Sequence, residues 1–206
     1  MTDKPSAGRG DGTRRPGLKI GLLGGSFNPA HDGHRHISLL ALKRLGLDQV
    51  WWLVSPQNPL KSARGMAPLK DRLAEAQAVA NHPRIRVTDL EIRLGTRFTA
   101  DTLTKLRRRF PGHRFVWLMG ADNLIQIPAW RRWTDIFATV PVAVFNRPDY
   151  GYKALAGCAA ARFGPYRVKR QAARDLASLP PPAWTFVWES DHPESATAIR
   201  GRAARA

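Results

Sequence analysis

Two histidines spaced three residues apart follow a short apolar run and a pair of glycines. The segment GLLGGSFNPAHDGHRH, residues 21–36, places Gly24 and Gly25 at the end of the run and His31 and His34 shortly after it. At a helix start, open backbone N–H groups and the positive end of the helix dipole favour an anion. Two imidazole N–H groups on one side of the first turn would point at the same anion. The pattern predicts a phosphate site.

The glycine spacing distinguishes this segment from the two common phosphate-binding motifs. Gly24, Gly25 and Gly33 do not match G-x-G-x-x-G, and the chain contains no G-x-x-x-x-G-K-[ST]. Gly33 would let a phosphate approach the backbone, and Ser26 adds a hydroxyl beside it. Taken alone, the segment also fits histidines that cap and solvate a helix end, or a zinc site with a third ligand from elsewhere.

Apolar runs and helical spacing alternate along the chain and supply the frame for these residues. The apolar runs predict strands at residues 18–23, 50–56, 84–92, 114–120, 141–148 and 184–189. The spacing of apolar residues predicts helices at residues 33–46, 68–81, 99–112 and 195–206. Alternating strands and helices, with many strands apolar throughout, predict an α/β fold: a Rossmann-like, doubly wound, mainly parallel sheet in a single domain.

Further candidates lie where such a sheet binds ligands, at the carboxyl ends of its strands. MGAD ends a predicted strand, so Gly120 and Asp122 would share an edge with the histidines. Ser195 would cap the C-terminal helix, with Thr197 and Arg200 in its first turns, so that hydroxyls and a guanidinium converge on one anion. The alternative for MGAD is that Asp122 is an acidic helix cap, and the alternative for the C-terminal segment is an ordinary capped helix.

Length and composition limit the class of protein. The 206 residues, 43% of them apolar, suffice for one sizeable core. Residues 1–17, rich in Gly, Pro and Arg, predict a disordered basic leader before a domain over residues 18–206. Because no apolar stretch reaches the roughly 18 residues of a membrane span and no signal peptide is recognisable, we expect a cytoplasmic protein without a membrane partner. The sequence leaves the oligomeric state open, and a homo-oligomer is compatible with it.

The net charge of +17, from 33 basic and 16 acidic residues, favours an anionic partner, either a small phosphate ester or RNA. We interpret the densest basic clusters, residues 107–109 and 131–132, as solvent-exposed helix faces. No RRM, KH or zinc-knuckle pattern occurs, nor an interleaved stripe of aromatic and basic residues. We therefore do not expect a specific nucleic-acid partner, although an RNA-binding relative of an enzyme remains the alternative.

Several segments together resemble a known enzyme family. GGSFNPAHDGH resembles the GG[ST]FDPxHxGH signature of the nucleotidylyltransferase superfamily, and ESATAIR resembles its C-terminal ISSTxIR element. DLEIRLGTRFTADTL, WLMGADNLIQIPAWRRW and FNRPDY are similar to bacterial nicotinate-nucleotide adenylyltransferases, so the resemblance runs from about Leu18 to Arg202. It implies a reaction of ATP with nicotinate mononucleotide that gives nicotinate adenine dinucleotide and pyrophosphate, with Mg²⁺ bound mainly through the ATP phosphates.

The resemblance also implies roles for the predicted residues. His31, His34 and Arg200 would stabilise charge during in-line attack of one phosphate on another, with no covalent intermediate and no general base. Asp122 would lie near a ribose hydroxyl. ATP would be bound by Gly24, Gly25, Ser26, Phe27, Gly120, Asp122, Ser195 and Thr197.

A second group of residues would bind the mononucleotide. Trp130 would stack on the electron-poor pyridine ring, whereas Trp133 is expected in the core. The backbone amides of Phe98 and Thr99, which resemble a Tyr-Thr pair of the family, would hold the nicotinate carboxylate; Thr99 is also the candidate cap of the helix that follows. The mononucleotide phosphate would be bound by cations that could equally be solvated surface charges: Lys61, Arg72 and Arg147.

Two positions depart from the family pattern. Asn28 stands where the family has Asp, which keeps a capping acceptor without the charge, and Leu60 stands where many members have His. Relatives in the same superfamily make dephospho-coenzyme A and cytidylyl lipid precursors. GTRFTADTL and PAWRRW favour a pyridine nucleotide over pantetheine phosphate as the substrate.

Overall fold

Six strands form one parallel sheet in the computed structural model, which describes residues 17–56 and 65–188. The strands are β1 (Lys19–Gly25), β2 (Gln49–Val54), β3 (Ile85–Thr88), β4 (Arg114–Gly120), β5 (Val142–Phe145) and β6 (Trp184–Val187). Their order across the sheet is β3-β2-β1-β4-β5-β6, and every neighbouring pair is parallel. This arrangement confirms the predicted α/β, Rossmann-like fold and its single domain.

Helices connect the strands on both sides of the sheet. The described α-helices are α1 (Asp32–Arg44), α2 (Leu69–Ala80), α3 (Leu90–Arg93), α4 (Thr99–Arg109), α5 (Ala121–Gln126), α6 (Trp133–Thr139), α7 (Gly151–Leu155) and α8 (Cys158–Arg162). Short 3-10 helices follow at Ile127–Ala129, Gly164–Tyr166 and Arg170–Ser178. Among the described helices, none combines the length and the apolar character that crossing a bilayer would demand.

The sheet separates two hydrophobic cores, because successive strand residues point to opposite faces. Trp51 joins the core that includes Leu103 of α4, while its neighbour Trp52 joins the core that includes Ile37 of α1. With helices covering both faces, a strand has no polar side to present. This explains why the strands are apolar throughout, and it confirms the doubly wound arrangement.

The strand order places a crevice at the carboxyl ends of β1 and β4. β1 pairs with β2 on one side and with β4 on the other, so the chain reverses its direction of winding at this point. Open α/β sheets bind ligands at such a topological switch point. Gly25 ends β1 and Gly120 ends β4, so both glycine-containing turns open into this crevice.

The structure corrects the strand predicted over residues 84–92, which ends at Thr88. The Thr88 hydroxyl accepts the Leu90 N–H at 3.2 Å, which turns the chain. An Arg93–Asp89 ion pair at 2.7 Å then spans one helical turn, so these residues form α3 instead of continuing β3. The helices between β4 and β6 were not predicted. Residues 1–16 of the predicted leader and the predicted helix at 195–206 lie outside the described residues.

Candidate active site

The two predicted histidines meet on the first turn of α1. His31 is the N-cap residue, with an extended backbone (φ −153°, ψ 166°), and it is 4% exposed. Its backbone N–H donates to Nδ1 of His34 at 3.3 Å, and the two ring centroids lie 3.8 Å apart. Because Nδ1 of His34 accepts this bond, a neutral His34 carries its proton on Nε2. The pair therefore forms a fixed unit at a helix N-terminus.

The Phe27 side chain packs against this histidine pair. Its φ of +47° lies in the left-handed region, which is rare for a bulky residue. Its buried ring stacks on Trp52 with centroids 5.0 Å apart and contacts the His34 ring at 4.6 Å. Backbone strain of this kind is typical of sites that require one defined geometry. The Phe27 side chain thus positions His34. Phe27 was also predicted to bind ATP, and any such contact would be made by its backbone.

A cavity of about 110 Å³ opens beside the end of β1. It brings together three residues predicted to bind the pyridine nucleotide, Phe98, Thr99 and Trp130, with the glycine pair predicted to bind ATP. Its full lining is Gly24, Gly25, Ser55, Glu91, Arg97, Phe98, Thr99, Trp117, Trp130 and Arg131. Five lining residues were not predicted as site residues, because the cavity joins segments far apart in the chain: Ser55, Glu91, Arg97, Trp117 and Arg131.

Gly24 is required where the strand passes over Trp117. A Cβ atom at this position would overlap the indole ring, whose side chain is 3% exposed and cannot move aside. The absent side chain therefore leaves room for the buried tryptophan at the floor of the cavity. The close contact between the β1 backbone and Trp117 therefore explains the glycine pair, in addition to the predicted approach of a phosphate to the backbone.

We expect Gly24→Ala to lower the free energy of unfolding by about 1–3 kcal/mol, since overpacking a filled core forces neighbouring groups apart. Urea denaturation measures this change. Gly112→Ala is the matched control, because a Cβ there meets no atom within 4 Å, and its unfolding should be unchanged. An equally stable Gly24→Ala variant would show that Trp117 has room to shift.

The N-terminus of α4 forms one end of the cavity. The prediction that Thr99 caps this helix is wrong, because Thr99 is its first residue and Phe98 is the N-cap. Among the described residues, no side chain caps α4, which leaves its first N–H groups open to a ligand. Arg97 and Arg131 line the same cavity, with the Arg131 Cζ 4.8 Å from the Phe98 ring centroid. This end therefore favours a carboxylate or another small anion.

The loop that carries Trp130 is held against α4 by Arg132. This residue has a φ of +54° and forms ion pairs with Asp101 at 3.0 Å and with Asp135 at 2.6 Å. Residues 131–132 are exposed as predicted, but they precede α6 and contact the site instead of forming a solvated helix face. Arg107–Arg109 are exposed at the end of α4, as predicted. Trp133 packs against the core, also as predicted.

Glu91 is the acid among the described residues that line the cavity, and it lies in α3, at a position that was predicted to be strand. It is 7% exposed. Burial raises the pKa of Glu91 to about 7, while side-chain hydrogen bonds with Ser55 and Thr102 oppose this rise. One signal in the sequence could have indicated that Glu91 is buried. It is an acidic residue between two apolar ones, Leu90 and Ile92, in a segment with few other charges facing inward.

The predicted ATP residues at the end of β4 form a second cluster. Asp122 and Arg147 form a partly buried ion pair at 3.4 Å. A Cβ atom on Gly120 would lie 3.0 Å from Nε of Arg147, so the guanidinium lies directly against this turn. Arg147, predicted to bind the mononucleotide phosphate, thus lies beside the ATP candidates and is not among the cavity-lining residues.

Arg72 has a structural role, and the prediction that it binds the mononucleotide phosphate is wrong. α2 places its side chain at 1% exposure, where burial lowers the pKa of Arg72 from its usual value. The guanidinium donates at 2.6–3.0 Å to the backbone carbonyl oxygens of Ser26, Ser55, Pro56 and Ala67. Its donors are therefore used inside the protein, where they join the loops that follow β1 and β2.

Asn28 connects the histidine segment to the start of the α2 segment. Its Nδ2 donates to the Gly65 carbonyl oxygen at 3.1 Å, and its Oδ1 accepts the Ala67 N–H at 3.2 Å. The acceptor that asparagine keeps at this position is used by the Ala67 N–H, whereas the N-cap residue of α1 is His31. An ionised aspartate would accept from Ala67 but could not donate to Gly65. These two hydrogen bonds of the side-chain amide therefore explain why asparagine occupies this position.

Several predicted residues fall outside the described part of the chain: Lys61, Ser195, Thr197 and Arg200, together with Leu60. Their predicted roles stay predictions. Within residues 17–56 and 65–188, no three His, Cys, Asp or Glu side chains are close enough to hold a metal ion. The zinc alternative for the histidine segment therefore gains no support from the described residues.

Comparisons with known proteins identify the family of this chain. Residues 22–202 match the cytidylyltransferase-like family. A probable nicotinate-nucleotide adenylyltransferase of Parvibaculum lavamentivorans is 56% identical over 187 residues, which cover 91% of this chain and 93% of that protein. Proteins of the same name from Cereibacter sphaeroides and Methylorubrum extorquens are 58% and 51% identical, covering 89% and 90% of this chain and 97% and 100% of their own lengths.

Solved structures show the same fold. Two structures of Plasmodium falciparum nicotinic acid mononucleotide adenylyltransferase, complexed with APC and with NaAD, each cover 89% of this chain and 83% of their own. Their TM-scores are 0.62 and 0.64, at 14% and 15% sequence identity. The family match and the identities above confirm the resemblance found in the sequence. The chain therefore belongs to the cytidylyltransferase-like family and, within it, to the nicotinate-nucleotide adenylyltransferases, which are nucleotidyltransferase enzymes.

Proposed function

We propose that this chain transfers the adenylyl group of ATP to nicotinate mononucleotide and releases pyrophosphate. The observation that carries this proposal is the position of the glycine pair. Gly24 and Gly25 line the cavity with Phe98 and Trp130, and Gly25 lies against the Phe27 ring, which packs on His34. One site for phosphate and one for a flat ring therefore meet at the end of β1. The names of the relatives and the NaAD-bound structure with the same fold support the same pair of substrates.

The chemistry requires little from acid–base groups. A phosphate oxygen of the mononucleotide attacks the α-phosphorus of ATP in line, a new P–O bond forms, and the bond to the β-phosphate breaks with pyrophosphate leaving. The attacking oxygen is already an anion, so no general base is needed. The main tasks are to bring two polyanions together and to stabilise the charge on the α-phosphate. His31 and His34 would donate N–H groups to that phosphate at the start of α1.

The cavity would recognise the pyridine ring and its carboxylate. Trp130 would stack on the ring, and the first N–H groups of α4, at Phe98 and Thr99, would bind the carboxylate. Arg97 and Arg131 add positive charge at the same end. A carboxamide would gain less from this field, because it carries no charge.

The nucleotide side of the site would use the end of β4. Gly120 lets ATP approach the backbone, and the ion pair with Arg147 holds Asp122 where it would contact a ribose hydroxyl. Since the described residues offer no cluster of acidic side chains, they fit a Mg²⁺ ion carried mainly by the ATP phosphates. When bound, this ion would neutralise phosphate charge. Arg200, Ser195, Thr197 and Lys61 would complete the phosphate contacts.

The test is pyrophosphate release by the purified protein with ATP and Mg²⁺ and one of three acceptors: nicotinate mononucleotide, nicotinamide mononucleotide or phosphopantetheine. We expect release that depends on a pyridine mononucleotide, with the nicotinate compound preferred. Release with phosphopantetheine alone would overturn the assignment of the cavity. No release with any acceptor would overturn the proposed reaction and favour a binding function, which salt-dependent RNA binding would then test.

A further inference from the structure

Glu91 is a buried carboxyl that the proposed reaction does not use. It lines the cavity that would hold the pyridine ring, and it is the only acid among the described residues of that lining. The residue is 7% exposed, so solvent does little to screen its charge. Any negative charge on Glu91 would therefore act strongly on a ligand in the cavity.

Two hydroxyl side chains contact the Glu91 carboxyl. Its carboxyl forms side-chain hydrogen bonds with Ser55, at the end of β2, and with Thr102, on α4. The Thr102 hydroxyl lies 2.9 Å from Oγ1 of Thr96 and 3.2 Å from the Phe98 carbonyl oxygen. A hydroxyl has one proton to donate. Thr96 and Phe98 compete with Glu91 for the Thr102 proton, which weakens the support that this hydroxyl gives to a charged Glu91, while burial favours the neutral form.

The part of the cavity at the start of α4 attracts negative charge. The uncapped start of α4 and the guanidinium groups of Arg97 and Arg131 lie around it. A ring carboxylate bound there would share a small, largely buried space with Glu91. Two carboxylates in such a space repel each other unless one of them is protonated. A ring carboxamide would not meet this repulsion.

We propose that the protonation state of Glu91 controls how strongly this site prefers a pyridine carboxylate over a pyridine carboxamide, because the cavity accepts the anionic substituent only while the Glu91 carboxyl holds its proton. The inference rests on the proposed function and deepens it. Glu91 is in this sense a specificity-determining residue. Its ionisation would weaken binding of the carboxylate and leave binding of the carboxamide nearly unchanged.

The ionisation of Glu91 falls in an accessible pH range. Burial raises the pKa of Glu91 to about 7. Ser55 faces it from β2 and Thr102 from α4, both as hydrogen-bond partners, and the charged groups of the same cavity are Arg97 and Arg131. On its own element, Asp89 and Arg93 are paired with each other and exposed. Desolvation therefore decides the titration, and the carboxyl is neutral below about pH 7 and charged above it.

The experiment measures kcat/KM for nicotinate and nicotinamide mononucleotides from pH 6 to pH 8, and follows their ratio. Both substrates carry the same phosphate and react with the same ATP at the same histidines, so the ratio cancels every titration that the two reactions share. We expect the ratio in the native protein to fall about tenfold between pH 6 and pH 8, as protons leave Glu91. Where turnover of the carboxamide is too slow, calorimetric binding of the two mononucleotides gives the corresponding ratio.

Glu91→Gln keeps the side-chain length and the hydrogen-bonding partners but cannot ionise. We expect its ratio to be constant with pH, and its kcat/KM for the nicotinate compound at pH 8 to exceed that of the native protein. A gain of this kind would not follow from a merely structural role. Glu75→Gln, the same change at an exposed position on α2, is the matched control and should retain the native pH profile.

A ratio that does not change with pH in the native protein would overturn the inference, even if the Gln variant does not fold. The same holds if Glu91→Gln retains the native decline. Both results require turnover or binding of a pyridine mononucleotide. The absence of any reaction and any binding with both mononucleotides at every pH would instead overturn the proposed function, so the two failures are distinguishable.

Discussion

His34→Ala is expected to lower kcat for pyrophosphate release by about 10²–10³-fold, the usual loss when one donor to a developing phosphate or oxyanion charge is removed. His34 accepts the His31 N–H at Nδ1, so its Nε2–H is the donor that would be lost. His34 is only partly buried, so the free energy of unfolding should change by about 1 kcal/mol. Steady-state kinetics with nicotinate mononucleotide, together with urea denaturation, separate the two effects.

Two further variants make this result specific. His34→Gln places an amide N–H near the position of Nε2 and should recover part of the lost rate. His82→Ala is the control, because His82 precedes β3 at the opposite edge of the sheet, where its Nδ1 accepts the Arg84 N–H. Its kcat should equal that of the native protein. A kcat within twofold of native for His34→Ala would exclude the histidine pair from the chemical step.

Arg72→Met is expected to lower the free energy of unfolding by about 3 kcal/mol or more, because one buried and three partly buried carbonyl oxygens would lose their donor at once. Arg72→Lys, which keeps the charge but has a single nitrogen, should lie between native and Met. Urea denaturation followed by tryptophan fluorescence measures both. Activity should fall only as far as the folded fraction falls, or as the loops after β1 and β2 shift.

Lys70→Met is the matched control for this prediction. Lys70 is exposed on the same helix two residues earlier, and its replacement removes an equal charge. Its stability should remain within about 0.5 kcal/mol of native. If Arg72→Met instead unfolded like the native protein while KM for the mononucleotide rose, the buried role assigned to Arg72 would be wrong and its phosphate role would return.

The parts of the molecule that depend on neighbouring residues were predictable. The turn from β1 into α1 occupies one short segment, so its glycines, its helix start and the spacing of His31 and His34 can all be deduced together. The parallel sheet follows from apolar strands that alternate with helices. Cap assignments were less secure: Phe98 and His31 cap their helices although neither is a preferred cap residue, because tertiary contacts override this preference.

The contacts of arginine depended on the fold. Arg72, Arg131 and Arg147 are the same residue type in similarly polar segments, yet the first is buried among carbonyl oxygens, the second lines the cavity, and the third pairs with Asp122. Local sequence does not reveal which loop will cover a side chain. A guanidinium that the local sequence would leave exposed can therefore be the most buried charged group among the described residues.

The sequence by itself determined the fold class, the family and the histidine turn, because strand and helix periods and a contiguous motif are properties of nearby residues. Only the tertiary structure decided which side chains line the cavity. Ser55, Glu91, Phe98 and Trp130 come from separate loops that meet because parallel strands end at one edge of the sheet. The burial that sets the protonation of Glu91 arises from that meeting, and no short segment of the chain encodes it.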